Sequence, residues 1–179
     1  VAYRPYMGDD LKPSTAWHAQ FEDVNNDGRP DLFVAKGNVD RMPDFAQKDP
    51  NNLLLQKPDA YFVEVGDVAG IASFSIARGA MLSDFNLDGK VDLVVVNRRD
   101  NVKIWRNRSG ELGSFIALRV HGPTSNRDAI GAWIEVKTDS GVQRRELTAG
   151  GGHASGQNHF WHFGLGDAKS AEIRVIWPD

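Results

Sequence analysis

The chain has 179 residues, a formal net charge of −3 and no cysteine, so it is long enough for one domain or two small ones and cannot form disulfides or thiolate metal sites. Lys and Arg are scattered along the chain, which argues against nucleic-acid binding. The longest apolar runs, such as 91–97, fall far short of the roughly 20 residues of a membrane-spanning helix, and we expect no membrane insertion. Frequent Gly and Pro and short runs of Val, Ile, Phe and Trp predict an all-β fold.

An acidic stretch occurs twice, at 21–36 and at 82–97, and its first aspartates are 84 − 23 = 61 residues apart. Each unit reads as strand, acidic loop, strand, connection and strand, and this spacing suits a β-propeller blade of about four strands. The insertion at 37–50 is expected to be a loop at one rim. Because two blades cannot close a ring of about 4 to 8, further blades or other copies of the chain are expected to cover the strand edges.

Each acidic loop carries the residue types of a site for a hard cation. Oxygen-bearing side chains stand at loop positions 1, 3, 5 and 9, glycine at position 6 allows a sharp bend, and position 7 would offer its backbone carbonyl. A plain Asp-Gly hairpin turn is the alternative, but it does not explain so many oxygen ligands in both copies. We therefore predict two Ca²⁺ sites, formed by Asp23, Asn25, Asp27, Arg29 and Asp31 and by Asp84, Asn86, Asp88, Lys90 and Asp92.

The loops differ from EF-hands, which need a bidentate Glu at loop position 12; Val34 and Val95 occupy that position here. Without that ligand we expect affinities in the roughly 10⁻⁴–10⁻³ M range of extracellular modules. Such sites fill where calcium is plentiful, so the loops favour an extracellular or periplasmic location. Residues 1–10 lack the basic start and apolar stretch of a signal peptide, and we expect a mature or excised piece of a longer exported protein.

The pattern changes after about residue 110. Five strand-like segments separated by turn-rich stretches predict a small antiparallel β-sandwich or barrel at 111–179, following a partial propeller at 1–110. The strands are expected at 114–120, 129–138, 142–149, 158–165 and 171–178.

The histidines and the remaining polar motifs give weaker indications. His159 and His162 are three apart in a predicted strand and would point to opposite faces, so we expect one in the core, the other in solvent, and no shared zinc. The Gly-rich segment 148–157 lacks the Lys-Ser/Thr ending of a phosphate loop and is expected to be a flexible loop or rim. Asn126 to Asp128 should form a polar turn, a candidate partner contact. Asn107 begins a formal N-glycosylation sequon.

Both halves of the sequence resemble known families. The stretches FEDVNNDGRPDLFVAKGN and LSDFNLDGKVDLVVVNRR, with NNLLLQ and FVEVGDVAGI, are similar to FG-GAP/VCBS repeats, the blades of integrin-α-like propellers, whose D-x-[DN]-x-DG-x-x-D loops bind Ca²⁺. The segments SNRDAIGAWIEVKT, HFGLG and IRVIWPD resemble the ASPIC/UnbV domain that follows such repeats. The resemblance implies Ca²⁺ ligands at loop positions 1, 3, 5 and 9 of both loops, more blades than two, and interaction with extracellular matrix or cell surfaces.

These observations predict a non-enzymatic, calcium-stabilised extracellular module for structure or adhesion, with a protein or glycan partner. A carboxylate that holds Ca²⁺ stays ionised, so the clustered acids are not expected to act as general acids. Two alternatives are a carbohydrate-binding module that uses Trp133, Trp161 or Trp177 as sugar platforms, and a self-assembling structural protein completed by neighbouring subunits.

Overall fold

The computed structural model describes residues 15–37, 49–122, 126–156 and 160–178. Within these ranges every regular element is a β-strand, and the strands form several small antiparallel sheets, as predicted. His159 and most of the predicted rim loop at 37–50 lie outside the described residues. The strands in chain order are β1 (Ala16–Glu22), β2 (Asp31–Lys36), β3 (Asn52–Gln56), β4 (Phe62–Glu64), β5 (Ala77–Ser83), β6 (Asp92–Asn97), β7 (Lys103–Trp105), β8 (Ser114–Leu118), β9 (Trp133–Thr138), β10 (Gly141–Glu146), β11 (Gly150–Gly151), β12 (Ser155–Gly156), β13 (Trp161–Gly166) and β14 (Glu172–Ile176).

The two acidic repeats form two sheets of the same design. The first sheet has the strand order β1-β2-β3-β4 and the second β5-β6-β7. In each sheet the acidic loop closes the first hairpin, pairing Glu22 with Asp31 in the first and Ser83 with Asp92 in the second. Buried positions alternate with more exposed ones along much of β2 and β6, which is the pattern of strands packed with one face on a core.

One hydrophobic cluster joins the two sheets to each other. Phe33 and Ala35 of β2 pack with Leu82, Leu93 and Val95 of the second sheet. A buried polar contact adds to this packing, because the side-chain amide of Gln20 donates to the carbonyl of Leu82 at 3.1 Å and accepts from its N–H at 3.1 Å. The Gln20 side chain therefore makes the pair of hydrogen bonds that the backbone of a neighbouring strand would make, and it links β1 to β5.

The C-terminal residues build a second unit around their own core. Its sheets have the orders β10-β9-β14 and β13-β8, and a separate cluster that includes Ile134, Val136, Leu147 and Phe163 fills the space between them. All five strands expected in this region are present, with shorter bounds. The predicted polar turn is also there: the Asn126 side chain donates to the carbonyl of Ile130 at 2.8 Å and accepts from its N–H at 3.0 Å.

The Gly-rich segment differs from the expected flexible loop or rim. Residues 150–156 form a two-stranded hairpin, β11-β12, that packs against the first two sheets. A Cβ on Gly152 would lie 1.8 Å from Nδ1 of His18, and one on Gly79 would lie 2.7 Å from Oγ of Ser155. The missing side chains therefore leave room for the ring of His18 and for the hairpin beside Gly79, contacts distant in sequence that the composition of the segment did not reveal.

In the described part of the chain, no helix is long and apolar enough to cross a membrane.

Candidate metal centres

The first acidic loop turns its side-chain oxygens inward onto its own backbone. Asp23 accepts hydrogen bonds from the N–H of Asp27 at 3.1 Å and of Gly28 at 2.7 Å, and Asn25 accepts a third from Asp27 at 3.2 Å. Asp31 accepts from the N–H of Val24 at 3.1 Å. The carboxylates at the two ends of the loop thus face the same tight turn.

The second loop repeats this pattern atom for atom. Asp84 accepts from the N–H of Asp88 at 3.1 Å and of Gly89 at 2.7 Å, Asn86 accepts from Asp88 at 3.3 Å, and Asp92 accepts from the N–H of Phe85 at 3.4 Å. The backbone also agrees, since positions 4 and 6 are left-handed in both loops: φ is 58° and 84° in the first loop and 60° and 82° in the second. The shared spacing therefore folds into a shared geometry.

The aspartate at position 9 connects the first loop to the third strand of its sheet and the second loop to the segment just after its third strand. Its second oxygen accepts from the N–H of Gln56 at 2.9 Å in the first loop, through Asp31, and from that of Asn107 at 2.8 Å in the second, through Asp92. This residue was chosen from the sequence as a ligand, and the structure adds a role in holding the sheet together.

The loops differ in burial and therefore in electrostatics. At position 1, Asp23 is almost completely buried, whereas Asp84 is half-buried. At position 5, Asp27 is half-buried and Asp88 is exposed, while the aspartate at position 9 is buried in both loops. Burial raises the pKa of Asp23 to about 7 and that of Asp31 to about 6, and repulsion from Asp27 acts in the same direction. A bound cation would reverse both effects, because it favours the ionised carboxylates.

Basic side chains partly neutralise position 5 of each loop. Arg29 contacts Asp27 at 2.5 Å within the first loop, and Arg106 contacts Asp88 at 3.0 Å in the second. The side chain of Lys90 instead donates to the carbonyl of Ser109 at 2.5 Å. Since only the backbone carbonyls of Arg29 and Lys90 were predicted as ligands, these side-chain contacts leave that prediction open.

Within the described residues, no three His, Cys, Asp or Glu side chains stand in the arrangement of a formed metal site. The donor chemistry nevertheless fits Ca²⁺, which prefers carboxylate, amide and backbone oxygens. The oxygens already face one turn, and the left-handed residue at position 6 gives the chain its bend. The loops are therefore carboxylate-rich turns whose chemistry suits a hard cation.

Sequence reasoning missed Asn26, at position 4 of the first loop, which is buried at a junction of three segments. Its side-chain amide donates to the carbonyl of Gly89 in the second loop at 2.9 Å. Its side-chain oxygen lies 2.7 Å from Nε2 of His162, and its carbonyl accepts from the N–H of Gly166 at 2.9 Å. The first loop therefore contacts both the second loop and the C-terminal unit; position 4 has no assigned role in a calcium loop, so no local signal marked it.

The sequon residue Asn107 is engaged in the same region. Its side-chain nitrogen, the atom to which a glycan would be attached, donates to the carbonyl of Val24 at 3.0 Å. Its backbone N–H binds Asp92, as described above. A glycan at this position would have to displace the hydrogen bond that ties the segment after β7 to the first loop.

A cavity of about 600 Å³ lies beside the loops, between the two sheets. Its walls are mostly apolar and include Leu53, Val65 and Trp105, while Arg106 and Arg108 supply charge. No histidine or carboxylate of the described residues lines this cavity, so its lining offers no general acid or base.

Comparison with known proteins identifies relatives of part of the chain. Residues 122–179, which contain β9 to β14, match the family described as ASPIC and UnbV. Cartilage acidic protein 1 of Xenopus tropicalis is 31% identical over 83 residues, which cover 46% of this chain and 11% of that protein. Cartilage acidic protein 1 of Mus musculus and that of Homo sapiens are each 27% identical over 105 residues, covering 56% of this chain and 16% of theirs. The chain thus spans less than a fifth of the length of these relatives.

Proposed function

We propose that this protein is a calcium-stabilised extracellular module for structure or adhesion, without catalytic activity, whose two acidic loops each bind one Ca²⁺. The observation that carries the proposal is the repetition of one geometry: two loops 61 residues apart in the sequence have the same ligand types, the same hydrogen bonds and the same left-handed residues. A hairpin turn alone needs one Asp-Gly pair and does not require three carboxylates and an Asn in each copy.

The first site would be held by Asp23, Asn25, Asp27 and Asp31 with the carbonyl of Arg29. The second would be held by the equivalent set, Asp84, Asn86, Asp88 and Asp92 with the carbonyl of Lys90. When bound, the ion would neutralise the crowded carboxylates and pin the turn, so that its binding energy adds to the stability of the fold.

The location and the blade-like architecture are part of the same proposal. Loops of modest affinity fill in the calcium-rich extracellular space, and the relatives are named for cartilage. The first sheet has four strands, the number expected of a propeller blade, and the second has three in the same order. In a longer protein the two sheets would then be the last blades of a propeller of the integrin-α type, followed by the ASPIC and UnbV domain, with an extracellular protein or glycan as partner.

The test is thermal unfolding with calcium, with magnesium and with chelator. At 5 mM Ca²⁺ and a dissociation constant of about 0.1 mM, each site should add about 2 kcal/mol, so we expect Tm to rise by at least about 5 °C. The Asp23→Asn/Asp84→Asn variant should lose most of this rise, while Asp139→Asn, in an exposed turn outside the loops, should keep it. A Tm that is the same in calcium and in chelator would contradict the proposal.

A carbohydrate-binding role is a second candidate because two tryptophans are open to solvent. Trp133 is 42% exposed and Trp177 is 46% exposed. In the strand pairing, Trp133 lies opposite Ile176, the residue that precedes Trp177 in the sequence. Trp161 packs against the C-terminal core instead. Glycan-array binding that Trp133→Ala/Trp177→Ala abolishes and Phe160→Ala preserves would favour this candidate; an array without signal would exclude it.

A further inference from the structure

The first acidic loop carries two kinds of residue along one turn. The proposed ligands Asp23, Asn25 and Asp27 stand at loop positions 1, 3 and 5. Asn26 lies between them and Glu22 directly before them, and the side chains of these two residues contact the C-terminal unit. The same short stretch of backbone would therefore hold the ion and meet the second unit.

β13 of the C-terminal unit lies directly on this turn. The backbone carbonyl of Asn26 accepts from the N–H of Gly166 at 2.9 Å, and its side-chain oxygen lies 2.7 Å from Nε2 of His162. A Cβ on Gly164 would overlap Oδ2 of Asp23 and would lie 2.6 Å from Cα of Asn26. β13 therefore packs against a ligand carboxylate and against the turn that follows it.

β10 adds a second contact at the start of the loop. Arg145 of this strand holds both carboxylate oxygens of Glu22, at 2.8 and 2.7 Å. The side-chain amide of Gln143, in the same strand, donates to the carbonyl of Gly164 at 2.6 Å and so ties β10 to the part of β13 that lies on the loop. The two strands therefore meet the loop as one surface.

A single conformation of the turn serves both purposes. Asn26 has a φ of 58°, in the left-handed region, which costs free energy for a residue other than glycine. The contacts of Asn26 with β13 stabilise this conformation, and so would a cation held by the side chains on either side of it. Each event therefore lowers the cost of the other, which is the condition for coupling between two sites.

We propose that docking of the C-terminal unit onto the first loop is coupled to Ca²⁺ binding by that loop. The inference rests on the proposed calcium site and adds a regulatory role to it. Without the ion, repulsion among the carboxylates loosens the turn that presents Asn26 to β13, and the docked arrangement opens more often. Coupling is reciprocal, so docking should also raise the affinity of the first loop for Ca²⁺, by a factor of about 5 to 150.

Hydrogen exchange of single amides, measured by NMR in about 5 mM Ca²⁺ and in chelator, tests the effect on docking. The N–H of Gly166 is bonded across the contact, so calcium should slow its exchange at least about 5-fold more than that of the amides in β14. β14 pairs with β9 in the same unit and reports on general stabilisation. Equal slowing at both places would overturn the proposal, because calcium would then stabilise the fold without acting on the contact.

Calorimetric titration with Ca²⁺ tests the reciprocal effect, in an Asp84→Asn background that weakens the second site. His162→Phe keeps a ring beside Phe115 but removes the donor to Asn26, and it should weaken binding at the first loop about 5-fold or more. His162→Gln, which keeps an N–H donor, should bind as the background does. Lys137→Ala, at an exposed position of the same unit, should also leave the affinity unchanged.

The outcomes separate this inference from the proposal on which it rests. No binding to the background variant, together with a Tm of the unmodified chain that calcium does not change, would overturn both. Calcium binding that His162→Phe and Lys137→Ala affect equally would overturn the coupling alone. If His162→Phe does not fold, the exchange of Gly166 in the unmodified chain still decides the question.

Discussion

At the scale of single residues, the two loops show how one backbone conformation is used differently. Position 4 is left-handed in both, and Asn adopts this conformation more readily than most residues. Asn26 uses it to reach the second loop and the C-terminal unit, whereas Leu87 is 67% exposed at the equivalent position. Position 4 is therefore held by neighbouring segments in the first loop and faces solvent in the second.

The partner of Asn26 gives a prediction for pH. Since the amide nitrogen of Asn26 donates to Gly89, its oxygen accepts from His162, which must carry its proton on Nε2; buried Nδ1 has no hydrogen-bond partner. Burial lowers the pKa of His162 from 6.5 to about 4, and the charge of Arg145 acts in the same direction.

Between pH 6.5 and 4, His162 should therefore be protonated in the unfolded chain and remain neutral in the native state. Stability contributed by neutral His162 is full above pH 6.5 and should fall by about 3 kcal/mol on acidification to pH 4. Urea unfolding of the native protein and of His162→Gln across this range measures the difference. If both lose the same stability on acidification, the assignment of a buried neutral imidazole is wrong.

At the scale of elements, the strands could largely be predicted from the sequence, because apolar alternation and turn residues are local signals. The segment 114–120 was expected and β8 is Ser114–Leu118; 142–149 was expected and β10 is Gly141–Glu146. The spacing of the acidic loops also predicted that their geometry would be shared. Contacts distant in sequence, such as His18 with Gly152 or Asn26 with His162, leave no local pattern, and these decide how the loops and the C-terminal unit meet.

The turn of the second loop gives a prediction at this scale. Gly89 has φ of 82°, and a Cβ there would lie 2.1 Å from the ring of Phe115. Gly70 has φ of 71° with open space around it, so it is a matched control for backbone strain alone. We expect Gly70→Ala to cost about 1 kcal/mol of unfolding free energy and Gly89→Ala about 3 kcal/mol, because the ring must also move. Equal losses in urea unfolding would show that Phe115 yields without cost.

At the scale of the whole molecule, a buried ion pair joins the C-terminal unit to the first sheet. Arg145 of β10 contacts both carboxylate oxygens of Glu22, at 2.8 and 2.7 Å. Glu22 is 3% exposed, and burial raises its pKa although the charge of Arg145 opposes the shift. Such a pair specifies how two units dock, since either charge alone would be left in an apolar environment.

Removal of one partner should therefore be more costly than removal of both. We expect Arg145→Leu to lower the unfolding free energy by about 3 to 5 kcal/mol and Glu22→Gln/Arg145→Leu to recover a large part of that loss. The exposed pair Lys137 and Glu172, 3.5 Å apart, is the control, and Lys137→Ala should cost less than about 1 kcal/mol. A double variant as unstable as Arg145→Leu would argue against this account.

The hydrogen bonds of the acidic turns also affect chemical degradation of the protein during storage. Each loop contains an Asp-Gly step, the aspartyl sequence most prone to isoaspartate formation, in which the glycine nitrogen attacks the preceding side-chain carbonyl. Here those nitrogens donate to Asp23 and Asp84, each at 2.7 Å, and are held away from that reaction. Peptide mapping after prolonged storage should find isoaspartate at positions 27 and 88 in unfolded protein and little in folded protein, so the turn that gathers the carboxylates also protects their covalent integrity.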